Sequence, residues 1–188
     1  IPQKGPDILI GALPKLLESN PDVVVVFAGD GHMRHYLEKQ AESLQVAHAV
    51  RFLGTIWGQP LKELFKASSV VCVPSRYEPF GIAVLEAWAC GKPVVVTKAG
   101  GPHEIVLHGK DGLKVNAEAS NIAWGLREVL NNRQRGNRMG KRGLERCKEF
   151  SWDVICARTE AVYRELFSAE EGVLSRVGAG REGTERRA

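Results

Sequence analysis

The chain is built around short runs of β-branched residues that are apolar on both faces. Val23–Ala28 is six apolar residues without a break, Val70–Val73 is a second such run ended by Pro74, and Pro93–Thr97 is a third. A strand with one wet face alternates apolar and polar residues. An unbroken run instead belongs to a parallel sheet covered by helices on both sides. Segments with helical periodicity separate the runs, and strand–helix alternation of this kind predicts a doubly wound α/β sheet.

Pro6 can open a helix carrying Ile8, Leu9, Ala12, Leu13, Leu16 and Leu17 on one broad face, with Pro14 expected to kink or shorten it. Gly29-Asp30-Gly31 turns the first strand into a helix over His32–Val46. Strand Val50–Leu53 and a short helix Gln59–Ala67 precede the second apolar run. A helix over Gly81–Ala89 stops at Gly91, and the loop Gly100-Gly101-Pro102 follows the third run. Next come a short helix over His103–Leu107, a turn over Gly109–Gly112 and a short strand at Leu113–Val115. Two or three further helices close the chain. Ser151 is placed to cap the last of them, which is expected to end near Phe167. From Ser168 on, glycines lie among Arg and Glu and apolar residues thin out, so residues 168–188 read as a mostly disordered tail.

Composition narrows the function classes. With 44% hydrophobic and 26% charged residues in 188, the chain has the balance of a folded globular domain. Its longest apolar run is far short of the roughly 20 residues a membrane-spanning helix needs. The net charge of +4 is uneven: Arg133–Lys148 carries seven basic residues and one acid, a net +6 that leaves −2 on everything else. One basic helix on a slightly acidic body argues against nucleic-acid binding. It reads as a solvated face, with weak contact to anionic headgroups at a membrane surface as the alternative. Cys72, Cys90, Cys147 and Cys156 form no close pair and share no ligand spacing with the histidines. They read as small hydrophobes in a reducing cytoplasm rather than a metal site.

The chemistry concentrates in Pro74-Ser75-Arg76-Tyr77-Glu78-Pro79-Phe80-Gly81-Ile82, where a buried strand gives way to a loop and then a helix. Ligands of such sheets bind at the carboxyl ends of the strands. A glycine at a helix start lets backbone N–H groups approach an anion, which the helix dipole favours. Glu86 follows Glu78 by eight residues, with Ile, Ala, Val and Leu as neighbours. At 1.5 Å rise per residue their carboxylates stand up to about 12 Å apart. That is too far for an acid–base pair, but it suits two ends of one extended ligand. Gly29-Asp30-Gly31 is not a dinucleotide fingerprint, because Arg34 stands where the third glycine belongs.

Glu78-Pro79-Phe80-Gly81 with Glu86, then Gly91-Lys92-Pro93-Val94-Val95, then Gly100-Gly101-Pro102-His103-Glu104-Ile105 resemble the C-terminal domain of GT4-type retaining glycosyltransferases with the GT-B fold. Lys4-Gly5, Gly29-Asp30-Gly31, Arg51-Phe52-Leu53-Gly54 and Phe150-Ser151-Trp152 fall in the family's order, so the resemblance covers Ile1 to Phe167. It implies a nucleotide-sugar-binding domain over residues 1–167. Lys4 would neutralise the donor diphosphate and Glu86 would hold the ribose hydroxyls. Glu78, as the catalytic-site carboxylate, would hold the transferred sugar together with the backbone of Phe80, Gly81 and Ile82. The backbone of Leu53–Thr55 would lie by the base. The resemblance implies sugar transfer from a nucleoside-diphosphate sugar with retained anomeric configuration, needing no metal or other cofactor. No Asp-x-Asp is present to hold a metal.

The same resemblance implies a partner: an N-terminal acceptor-binding domain across a cleft. It also implies a central strand, ending in Gly-Arg, ahead of Ile1. A sheet beginning at Ile1 is therefore expected to lack that first, central strand. Burial of about six apolar residues at roughly 1.5–3 kcal/mol each would go with it, against a typical domain stability of about 5–15 kcal/mol. The expectation is a marginal or rearranged fold in which Val23–Ala28 and Val70–Val73 flank a gap or pair directly, with weak donor binding and no transfer by this chain alone. Two alternatives remain open: a non-catalytic nucleotide-sugar-binding module working with a partner chain, and a nucleotide-sugar epimerase of related architecture.

Overall fold

A computed structural model describes residues 1–182 of the chain. It divides into two compact units, Ile1–Cys147 and the segment from Lys148 onward. In the first unit a 3-10 turn (Pro2–Lys4) leads into α1 (Pro6–Leu17), β1 (Val25–Phe27), α2 (Arg34–Ser43) and β2 (Val50–Phe52). Then follow α3 (Gly58–Ala67), β3 (Val71–Val73), α4 (Ile82–Ala89), β4 (Val94–Thr97), α5 (Gly101–Ile105), β5 (Gly112–Val115), α6 (Ala119–Leu130) and α7 (Arg133–Arg146). Every strand pairing is parallel, with β1 on β2 and β4 between β3 and β5.

The fully buried β4 shows why its sequence is apolar on both faces. Val95 packs into the cluster formed by α1, α2, α6 and β5. Val94 and Val96, pointing the other way along the pleat, are equally buried on the side of α4 and α5. Pro14 lies inside α1 and does not shorten it. It is exposed in the last turn, while Ile10, Leu13 and Leu16 on the buried face hold the helix to the core.

The two sheets are not joined. β1 and β3 flank a groove of about 1060 Å³ lined by Val23–Val26 on one side and Val70–Cys72 on the other, with Leu9 and Leu16 of α1 among its walls. The expected gap is therefore present, but the flanking strands do not pair across it. Each packs separately against the cluster containing α1, which spans the space between them. The first strand is also shorter and wetter than its sequence suggests: Val24 is 50% exposed and Val26 38%.

Helix α7 approaches its neighbours through glycine. A Cβ on Gly140 would lie 2.0 Å from the Gly91 carbonyl oxygen, and one on Gly143 would lie 2.1 Å from Cδ1 of Trp88. Trp88 is fully buried and donates from Nε1 to the Asp111 carbonyl at 3.0 Å. The basic side chains of Arg133, Arg138, Lys141 and Arg142 lie on the exposed surface of α7, as a solvated face requires.

In the second unit α8 spans Trp152–Glu182. Ser151 Oγ accepts from the Val154 N–H at 3.4 Å, the expected cap. The helix runs past Phe167, where the sequence reading ended it. Ala, Glu, Leu and Arg are good helix formers, and single glycines cost only about 1 kcal/mol each. The remainder of the expected tail, residues 183–188, lies outside the described residues. No helix among the described residues is long and apolar enough to cross a membrane.

Two measurements check this architecture. Val71 N–H bonds to Pro93 and the Phe27 carbonyl bonds to Leu53. By the alternation of a parallel ladder, the amides of Cys72 and Val26 then face the groove. Hydrogen exchange should be much faster at Val26 and Cys72 than at Val71; equal protection would mean the groove is closed. Gly143→Ala should lower the thermal midpoint, because overpacking costs about 1–3 kcal/mol and outweighs the gain of up to about 1 kcal/mol in helix propensity. An unchanged or raised midpoint would contradict the close approach to Trp88.

Candidate functional site

The predicted site residues gather at the carboxyl ends of β3 and β4. Strand β3 ends at Pro74, and the buried Ser75 accepts at its carbonyl a hydrogen bond from the Thr97 hydroxyl at the end of β4. This bond ties the two strand ends together and fixes where the loops beyond them leave the sheet. The Glu78–Phe80 loop is cradled from beneath by Gly100 and Gly101. Gly101 N–H donates to the Glu78 carbonyl at 2.9 Å. A Cβ on Gly100, at φ +60°, would fall 2.1 Å from that carbonyl oxygen, and one on Gly101 would fall 2.4 Å from the Phe80 oxygen. The sequence placed Gly100-Gly101 in a loop after the third apolar run. The structure makes the pair the seat on which the Glu78 loop rests.

Lys4 Nζ meets Glu78 Oε2 at 2.6 Å. The lysine side chain is half exposed, whereas that of Glu78 is only 13% exposed. Beside this pair, Gly81 at φ +91° caps the start of α4, and no side chain of the described residues caps that helix. Its first-turn backbone therefore presents positive partial charge to the surface. Phe80 and Ile82 on either side of Gly81 are exposed, at 47% and 61%. Glu86 lies one turn further along α4. Its side chain is at the surface, yet burial of its surroundings pushes its carboxyl above the ordinary 4.5.

The other half-sheet contributes a second pair of loops. Gly29 N–H donates to the Gly54 carbonyl at 2.7 Å, bringing the turns after β1 and β2 together. Phe27 stacks on Phe52 with centroids 5.2 Å apart, and the Arg34 guanidinium lies 5.9 Å from the Phe52 ring centre. Leu53 at the end of β2 is half exposed.

Sequence reasoning missed one strong interaction. Arg76 forks onto Asp7, with Nη1–Oδ1 at 2.8 Å and Nη2–Oδ2 at 2.6 Å, and Nη1 also donates to the Pro2 carbonyl at 2.9 Å. Arg76 holds the Asp7 carboxyl below the ordinary carboxylate range, and Asp7 in turn raises the arginine's pKa. The partners are 69 residues apart, and no local pattern announces such a pair.

Elsewhere the titratable groups are structural. Asp111, nearly fully buried, accepts from the Leu107 N–H at 2.8 Å and lies 3.5 Å from Arg146 Nε; burial still pushes its carboxyl upward. Cys72 packs its thiol against the core, and burial pushes its pKa up to about 12, so it is inert at neutral pH. Trp88 is core, while Trp57 and Trp152 are exposed. No group of three His, Cys, Asp or Glu side chains among the described residues is placed to hold a metal ion.

Comparison with known proteins shows the family and the fold. The family model of glycosyl transferases group 1 matches residues 1–146. An uncharacterized glycosyltransferase of Methanocaldococcus jannaschii is 43% identical over 166 residues, covering 86% of this chain and 42% of the relative. Sucrose-phosphate synthase from Thermosynechococcus elongatus superposes with a TM-score of 0.78 at 30% identity, covering 90% of this chain and 44% of that one. Anabaena HepE in complex with UDP-glucose superposes with a TM-score of 0.76 at 30% identity, covering 89% and 46%. The chain thus spans less than half the length of these relatives, and its parallel sheets flanked by helices are those of a GT-B C-terminal domain. With that family model matching residues 1–146, the chain belongs to the group 1 glycosyltransferases.

Proposed function

We propose that this chain is the donor-binding half of a retaining glycosyltransferase that moves a sugar from a nucleoside-diphosphate sugar to an acceptor. The observation that carries the reading is the meeting of Lys4 and Glu78 beside the uncapped start of α4. A lysine is a mobile point charge suited to phosphate, and a helix start adds backbone N–H donors. Together they place positive charge where a diphosphate would leave. When the bond from the anomeric carbon to the phosphate oxygen breaks, its electron pair departs with the nucleoside diphosphate. Charge that grows in the transition state is stabilised most by donors already in place. In this reading Lys4 and the Phe80–Ile82 backbone do that work, and no metal is required.

Glu78, the more buried partner of Lys4, is assigned to the hydroxyls of the transferred sugar. Glu86 is assigned to the ribose diol. The turns at Gly29–Gly31 and Leu53–Thr55 would bound the base. Retention of anomeric configuration and GT4 membership rest on the sequence resemblance alone. The acceptor, held by the domain across the cleft, forms the new bond from its hydroxyl oxygen to the anomeric carbon as the bond to phosphate breaks, and its proton leaves with the departing diphosphate. Without that domain this chain is expected to bind donor weakly and transfer nothing. Four free cysteines suit a reducing compartment such as the cytoplasm.

Glu86 provides the test. Its carboxyl is raised in the folded chain, so in the free protein it costs stability as pH rises through its pKa. Hydroxyl donors from a ribose would favour the ionised form and reverse that cost. Nucleotide affinity should therefore fall on acidification, with a midpoint above 4.5. Glu86→Gln should weaken nucleotide binding about tenfold, the loss of one charge-assisted bond. It should also flatten the pH profile and leave the thermal midpoint at neutral pH unchanged or higher. Titration with UDP, ADP and GDP sugars, followed by calorimetry or NMR, reads all three. If no donor binds, or if the substitution leaves affinity untouched, the site is misassigned.

A further inference from the structure

Arg76 and Asp7 have no role in the donor site as assigned above, yet they form its best-made ion pair. We propose that Arg76, locked to Asp7, is a positioning residue that sets where the Lys4 ammonium stands at the phosphate end of the site. The inference rests on the reading that Lys4 meets the donor's diphosphate.

Lys4 is the last residue of the Pro2–Lys4 turn, and its neighbours on both sides are held by Arg76 and the adjoining loop. The Gln3 carbonyl accepts two backbone N–H groups, Arg76 at 2.7 Å and Tyr77 at 3.2 Å. The Pro2 carbonyl accepts Gly5 N–H at 3.0 Å and Arg76 Nη1 at 2.9 Å. On the far side of Lys4, Gly5 takes φ +63°, and a Cβ there would fall 2.1 Å from the Pro74 carbonyl oxygen. Two residues further on, Asp7 receives the guanidinium fork. Arg76 thus grips the chain before and after Lys4 while leaving the lysine side chain unencumbered except for Glu78. Because Arg76 is two residues from Glu78 in the same loop, the grip fixes the Lys4 backbone relative to Glu78 itself.

Three guanidinium bonds of Arg76 are spent inside the protein, and its charge is cancelled by Asp7. This combination serves geometry better than it serves direct phosphate binding. A planar fork matched to a carboxylate is a rigid connector that lysine cannot replace.

Charge and geometry make opposite predictions for Asp7→Asn. If only charge mattered, removing an acid beside an anion site would tighten diphosphate binding. If the fork positions Lys4, binding weakens although the site has become more positive. Titration of the full chain with UDP, ADP and GDP, each paired with its monophosphate at fixed ionic strength, separates the two. We expect both Arg76→Lys and Asp7→Asn to weaken the diphosphate about tenfold and to leave the monophosphate unchanged. In a Lys4→Ala background neither substitution should weaken the diphosphate further. Unchanged or tighter diphosphate binding by Asp7→Asn overturns the positioning role, as does an undiminished effect without Lys4. A variant that loses the monophosphate too has lost the site's fold, which overturns a role confined to Lys4. A wild-type chain that binds none of the six nucleotides overturns the donor-site reading, and the positioning role falls with it.

Discussion

Helix α1 holds two half-sheets in one domain. It packs on α2, which follows β1, and on α6, which follows β5, while β1 and β3 share no ladder. Six of its twelve residues are buried, among them Ile10, Leu13 and Leu16. A buried aliphatic side chain contributes roughly 1.5–3 kcal/mol, so this one face outweighs any surface interaction in the chain. The groove between the strands has Leu9 and Leu16 of this helix among its walls. The same helix carries Asp7 in its first turn, where a carboxylate is favoured by the helix dipole. The element that closes the core therefore also anchors the loop that carries Glu78.

That coupling gives the site its order. The Thr97–Ser75 bond joins the ends of β4 and β3, and the Gly101–Glu78 bond seats the loop. The Arg76–Asp7 fork brings in the N-terminal turn. Each connection is backbone-rich or bidentate, so the position of Glu78 is set by rigid groups. The Lys4 side chain beside it is long and half exposed. In the proposed reading, a firmly seated carboxylate next to an adaptable cation suits a donor whose charge shifts as it reacts.

Much of this was legible in the sequence, and the failures have physical causes. The unbroken valines of β4 announced a strand buried on both faces, and the structure buries all four of its residues. Glu78 and Gly81 could be placed because a strand, a loop and a helix start follow one another within a few residues. The same logic overstated β1: Val23–Ala28 has the composition of a central strand, but only Val23, Val25 and Phe27 pack against the core, and Val24 and Val26, on the opposite face of the pleat, are exposed. Composition reports what a strand could bury, not what is there to cover it. Nothing in the sequence marks the glycines of α7, and only the positions of Trp88 and the Gly91 carbonyl reveal why a side chain cannot fit. The Arg76–Asp7 pair lay beyond reach for a different reason. Its partners are far apart in the chain, and each alone looks like an ordinary surface charge.

The Lys4–Glu78 contact bears on which ligand the proposed site would favour. With the lysine side chain half exposed, water screens the pair, and contacts of this kind are worth only about 0.2–1 kcal/mol. In the proposed reading a diphosphate offers Lys4 a larger negative charge than one carboxylate, which draws the ammonium from Glu78 toward phosphate. The released carboxylate then needs donors of its own, and a sugar's hydroxyls supply them beside the phosphate they are joined to. A lone phosphate would leave Glu78 unpartnered in its largely buried position. In the proposed reading, phosphate and sugar on one ligand satisfy Lys4 and Glu78 together, so their contact favours the intact donor over either of its parts.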